Sequence, residues 1–196
     1  MPSVTLAVIG DVHAHWAFLD RVLERVDEVD VQGILLVGDL GDPVLGRAPV
    51  RDFARKEAYL ASLDTLWTRL RATGIPYLWV PGNHDLPDVP GEHNIDRRVD
   101  ELAGLRVGGI GGGGPARFGF PYEWGEDEVR ARTLGPCDVL LCHAPPSDCT
   151  LDVIMGRDLH VGSVAIRERA ERHTGFLVCG HIHESGAWSG SGTACA

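Results

Sequence analysis

The chain has 196 residues, 44% hydrophobic and 23% charged, with 28 acids against 18 bases and a net charge of −10. That balance excludes a disordered chain and suits one globular domain spanning 1–196, able to bury roughly 70% of its unfolded surface without disulfide staples. No apolar run approaches the ~20 residues of a membrane span, and no Lys/Arg cluster offers a footprint for long nucleic acid.

Residues 4–9 (VTLAVI) form a short β-branched apolar run, which predicts a buried strand. Gly10-Asp11-Val12-His13-Ala14-His15 follows it. Leu19, Val22, Leu23 and Val26 then share one helical face, with Arg21, Glu24, Arg25 and Glu28 opposite. Residues 33–37 are the next predicted strand, and Gly38-Asp39-Leu40-Gly41-Asp42-Pro43 stands at its end. A helix over about 51–72 carries Leu60, Leu63, Leu66, Trp67 and Leu70 as its stripe, and Thr73-Gly74 closes it. Residues 75–80 read as a strand stopped by Pro81-Gly82, after which Asn83, His84 and Asp85 arrive in succession.

Residues 92–102 fit either a helix or an irregular excursion, and 105–110 fit a strand. The glycine-dense run over 108–115 has no amphipathic helix after it, so it reads as a tightly packed strand end rather than a phosphate cradle. A short helix is expected over 126–134 and a strand over 138–142, ended by His143-Ala144-Pro145-Pro146. The loop 147–162 holds Asp152, Arg157, Asp158 and His160. Ser163 is then the expected N-cap of a helix reaching about His173. Residues 175–179 are the last clear strand, followed by Gly180-His181-Ile182-His183-Glu184 and a small, Gly-rich tail with room for one more strand.

Strand alternating with helix implies parallel strands joined by right-handed crossovers. In such sheets ligands bind beyond the carboxyl ends of the strands. Five polar motifs sit at those ends, and they contain five of the nine histidines. Carboxylate and imidazole together suit borderline first-row metals such as Mn, Fe, Zn or Co better than Mg or Ca. Asp11, His13, Asp39, Asn83, His143, His181 and His183 make seven candidate ligands. With one bridging carboxylate, seven divide between two ions. Two such ions activate a water and clamp the attacking and leaving oxygens of an in-line displacement, which suits phosphoester hydrolysis.

These residues in this order resemble the calcineurin-like metallophosphoesterase superfamily, and their spacing is similar to that of the class III cyclic-nucleotide phosphodiesterases. The likeness runs from residue 10 to 183, and 160–163 with 179–184 look like a small bacterial subgroup of phosphoesterases. The resemblance implies a four-layer α/β/β/α sandwich with two packed mixed sheets. It implies that Asp39 bridges two ions, with Asp11, His13 and His183 completing one site and Asn83, His143 and His181 the other. His84 would face the substrate phosphate, stabilising the transition state or protonating the leaving group, with Asp85 orienting it.

The residues support those roles separately. His84 is not needed to complete the ligand set, and a neighbouring Asp85 would fix its tautomer and raise its pKa, as a general acid requires. A metal-bridged hydroxide is available at neutral pH. Asn83, His84, Arg157, His160 and Ser163 are the candidate substrate contacts, Ser163 through a helix N-terminus folded over the metals. Arg117 and Arg157 are the only basic residues in the site loops, which favours phosphodiesters over dianionic monoesters. A monoesterase or protein phosphatase of the same fold, and a metal-binding scaffold without catalysis, are the rivals. The scaffold would be favoured by loss of Asp39, His84 or a terminal His, and none is lost.

The remaining expectations are a small phosphoester as substrate, no organic cofactor and two divalent ions, Mn²⁺ or a mixture of Fe, Zn and Mn. Five cysteines with no C-x-x-C spacing, and no basic segment leading into an apolar stretch at the start, point to a reducing cytoplasm. The chain ends thirteen residues after His183, so terminal strands of the second sheet would be missing or short. The open edge that results leaves a homo-oligomer open.

Overall fold

A computed structural model describes residues 3–42, 53–89, 91–154 and 159–183. Three parallel strands, β1 (Leu6–Ile9), β2 (Gly33–Leu36) and β3 (Tyr77–Trp79), form one sheet in the order β1-β2-β3. Helices α1 (Trp16–Asp27) and α2 (Phe53–Thr73) connect them. The second sheet has the order β4-β5-β6-β9. In it β4 (Val99–Leu102) runs antiparallel to β5 (Leu105–Ile110), while β5, β6 (Val139–Cys142) and β9 (Phe176–Val178) are parallel. Between them come α3 (Glu126–Ala131), a two-stranded hairpin of β7 (Val153–Ile154) and β8 (Leu159–His160), and α4 (Val164–Arg172).

Side-chain alternation along the strands sorts the core into three layers. Ile34, Leu36, Tyr77 and Trp79 point one way and pack on Leu19, Leu23 and Val26 of α1 and on Tyr59, Leu63, Leu66 and Leu70 of α2. Leu35, Val37, Leu78 and Val80 point the other way, against Val107, Val139 and Leu141 of the second sheet. On that sheet's far face, Leu140 and Cys142 pack with Val129 of α3 and Ala165 and Ile166 of α4. Helices, sheet, sheet and helices therefore stack as the four-layer α/β/β/α sandwich.

The expected elements are present with ends shifted by one to three residues at most positions; α3 stops at Ala131, short of the expected 134. Residues 92–102 contain no helix. Val99–Leu102 is instead half of a hairpin closed by Ala103 and Gly104, both at positive φ. The loop 147–162 also holds the small β7–β8 hairpin, which had no signal of its own. Gly109 shows why the glycine run is a packed strand end: a Cβ there would lie 2.3 Å from the Ile95 carbonyl oxygen. Arg157 and the tail beyond His183, including any terminal strand, lie outside the described residues. β1 and β9 end their sheets among the described residues, leaving Val8 and Phe176 exposed. No described helix is long and apolar enough to cross a membrane.

Leu35 is buried at the centre of the inter-sheet layer. Leu35→Ala should cost about 2–5 kcal/mol, read as a lowered midpoint of denaturant unfolding with an unchanged slope.

Candidate active site

Five strands, β1, β2, β3, β6 and β9, end at the same edge of the sandwich, and each delivers its polar motif there. The delivery is not relaxed. Asp11, His13, Ala14, Asp39 and His181 all have positive φ, between 45° and 78°, a region non-glycine residues rarely hold without compensating bonds. The bonds are present: Asp11 N–H donates to the Gly38 carbonyl (3.0 Å), His13 N–H to that of Asp39 (2.9 Å) and Ala14 N–H to that of Leu40 (3.3 Å). Gly82 is required by proximity, since a Cβ on it would lie 2.1 Å from Asp39 Oδ1.

Two clusters of ligand atoms result. Asp11, His13 and His183 form one, and Asp39, His143 and His181 the other. Each carboxylate has one oxygen tied down. Asp11 Oδ2 accepts from the His181 N–H at 3.0 Å, and Asp39 Oδ1 from the His84 N–H at 2.8 Å. The second oxygen of each faces imidazoles. Asp11 Oδ1 is buried without a hydrogen-bond partner and lies 3.3 Å from His183 Nε2. Asp39 Oδ2 lies between the clusters, 3.8 Å from His13 Nε2 and 3.5 Å from His143 Nε2. Asn83 reaches the second cluster, its Oδ1 2.8 Å from His143 Nε2. His143 Nδ1 meets the Val37 carbonyl at 2.6 Å, which fixes the ring and turns Nε2 toward Asp39, Asn83 and His181.

This donor set fits cations on electrostatic grounds. Burial raises the pKa of Asp39 to about 7, against the pull of His143. Burial and neighbouring imidazoles drive His181 well below its ordinary value, and burial also lowers His13. Of these three imidazoles only that of His143 is raised, since the Asp39 and Asp11 carboxylates outweigh its own burial. Such a site penalises its own charges, whereas divalent ions would favour the ionised carboxylates and neutral imidazoles that ligation needs. All seven residues singled out as ligands therefore lie in or beside the two clusters and could hold two ions.

Three other expectations are corrected. Asp85 does not orient His84. Its buried carboxylate accepts from the N–H groups of Gly82 (2.7 Å) and Asp39 (2.8 Å), more loosely from that of Leu40 (3.3 Å), and from the Tyr59 hydroxyl (3.0 Å). His84 Nδ1 is buried without a hydrogen-bond partner. Its pKa is lowered to about 4 by burial and by His13 and His143, which outweigh the upward pull of Asp85, rather than raised. Ser163 caps α4 as expected, accepting from the Ile166 N–H at 3.2 Å. Yet the anion position there is filled by Glu126, which accepts from the Ser163 hydroxyl (2.8 Å) and the N–H groups of Val164 (3.1 Å) and Ala165 (2.8 Å), so no substrate phosphate sits there. His160 pairs with buried Asp152 at 2.7 Å, and Asp152 also holds the Cys149 and Gly162 N–H groups, so this pair pins the hairpin instead of lining the site.

A cavity of about 280 Å³ opens over the clusters. Asp39, Asn83, His84, His181 and His183 are among the polar residues that line it. Phe118, Phe120, Ile154, Val161 and Ile182 also line it, and none of them was anticipated. Two aromatics spaced around Gly119 in a Pro-bounded loop were the available signal.

A family model described as calcineurin-like phosphoesterase matches residues 4–185. The uncharacterized protein MJ1162 of Methanocaldococcus jannaschii is 36% identical over 194 residues, covering 92% of this chain and 81% of that protein. One solved crystal structure superposes with a TM-score of 0.72 at 16% identity, over 90% of this chain and 83% of its own. The crystal structure of TT1561 of Thermus thermophilus superposes with a TM-score of 0.58 at 16% identity, over 90% of this chain and 81% of its own. At such identities the structural likeness speaks for the fold.

The bonding of Asp85 predicts that Asp85→Asn sets an amide N–H against backbone donors. Metal-free protein should lose about 3 kcal/mol of stability in chemical denaturation. Unchanged stability with reduced turnover would return Asp85 to a role through His84.

Proposed function

The chain belongs to the calcineurin-like phosphoesterase family, and from that premise we propose that it hydrolyses phosphodiesters at the paired clusters. Membership carries metal-dependent phosphoester hydrolysis with it. The observation that supports a two-ion centre here is the asymmetry of the carboxylates. Asp11 and Asp39 each anchor one oxygen on a backbone N–H and turn the other toward imidazoles, with Asp39 Oδ2 between the clusters.

In this reading two ions would share Asp39, with Asp11, His13 and His183 holding one and Asn83, His143 and His181 the other. Divalent ions such as Mn²⁺, bound there, supply an activated water and neutralise charge on the phosphoryl oxygens. His84 holds the substrate rather than an ion. At pH 7 its imidazole is neutral, because burial lowers its pKa to about 4, and a neutral ring still donates one N–H. That N–H serves the phosphoryl or leaving-group oxygen, stabilising negative charge as it develops.

The preference for diesters follows from charge. Among the described residues one arginine, Arg117, lines the cavity. A dianionic monoester would call for a denser cationic clamp than a monoanionic diester does.

His84→Ala should lower kcat on a bis-aryl phosphate at least about 100-fold while retaining both ions. Asp39→Asn should weaken both ions together in metal analysis. A metal-loaded protein inert towards diesters, or loss of a single ion from Asp39→Asn, would overturn the respective assignments.

A further inference from the structure

One wall of the cavity plays no part in holding ions. Beyond Gly113 the chain curls so that the backbone N–H groups of Phe118, Gly119 and Phe120 converge on the Glu123 carboxylate, at 3.1, 2.6 and 3.2 Å, with that of Arg117 at 3.5 Å. Several amides on one anion set the curvature of the loop, and Gly119, at a φ of 75°, completes the turn. The clasp holds two aromatic rings in the cavity lining. The Phe120 ring centroid lies 4.3 Å from that of His84, and the Phe118 centroid 5.8 Å from that of Phe120. Ile154, Val161 and Ile182 continue the same apolar lining.

The cavity is thus lined both by carboxylate and imidazole groups and by aromatic and aliphatic carbon. An anionic group joined to a flat apolar one satisfies both. We propose that Phe118 and Phe120 form a subsite for an aromatic ring carried by the phosphoester, either an aryl group or a nucleobase. The proposal rests on the phosphoesterase reading and adds the class of ester that the site selects. Because Phe120 touches His84, the ring lies on the side of phosphorus that His84 serves.

Binding tests this independently of turnover. The measurements are the dissociation constants of phenylphosphonate and methylphosphonate for the Mn²⁺-loaded protein, then of adenosine 5′-monophosphate and ribose 5-phosphate. In at least one pair the aromatic member should bind about tenfold more tightly, the size expected of one stacked ring. That ratio should fall to near unity in Phe120→Leu and, at the more exposed end of the wall, in Phe118→Ser. A preference confined to the phenyl pair supports an aryl ester, and one confined to the nucleotide pair supports a nucleobase. Equal affinities in both pairs, or a preference that survives both substitutions, overturns the subsite. Selective binding of aromatic phosphonates without diester hydrolysis would leave the subsite standing and overturn the phosphodiesterase reading. Hydrolysis without aromatic preference would do the reverse.

Discussion

A reciprocal pair of carboxylate–backbone bonds holds the catalytic edge together. Asp85 accepts from the Asp39 N–H, and Asp39 accepts from the His84 N–H. The ends of β2 and β3 are thereby tied to each other by groups on both sides, in a setting where water does not compete. Asp39 can then remain at positive φ with one oxygen fixed and the other directed between His13 and His143. Tyr59 of α2 adds its hydroxyl to Asp85, so a helix packed on the far side of the sheet also braces the ligand. Losing the Asp85 acceptor would release strained backbone at the centre of the site.

The sandwich supplies the second constraint. Asp11 and Asp39 leave one sheet, and His143, His181 and His183 leave the other, so the clusters form only where the two sheets meet. The His143 ring bonds the Val37 carbonyl across that junction, and the His181 N–H bonds Asp11. Burial then discourages charge on the site's own groups, raising Asp39 and lowering His13, His84 and His181. Divalent ions held by the two clusters would relieve this. His84 stands beside the clusters with Nδ1 buried and without a hydrogen-bond partner.

Much of this was legible in the sequence because strand ends punctuate themselves. A buried apolar run followed by Gly and then Asp, Asn or His is a local signal, and five of them in one α/β pattern identify a shared edge. What lay beyond was set by side-chain direction and long-range partners. Asp85 adjoins His84 in sequence, but the chain bends over 83–85 and the Asp85 carboxylate turns back onto the Gly82 and Asp39 N–H groups, so adjacency did not mean contact. Ser163 was readable as a cap, whereas its neighbour Glu126, 37 residues upstream, was not. The strand Val99–Leu102 is short and half-exposed, and only its pairing with β5 defines it. The Phe118–Phe120 wall has no periodicity to detect, because a carboxylate clasp rather than a regular element shapes it.

The central claim is that Asp39 stands between two ions. An anomalous difference map from a manganese-soaked crystal tests it directly. Two peaks about 3.5–4 Å apart are expected, one beside Asp11, His13 and His183 and one beside Asn83, His143 and His181, with Asp39 Oδ2 in reach of both. A single peak, or two peaks with Asp39 touching only one, would contradict the account.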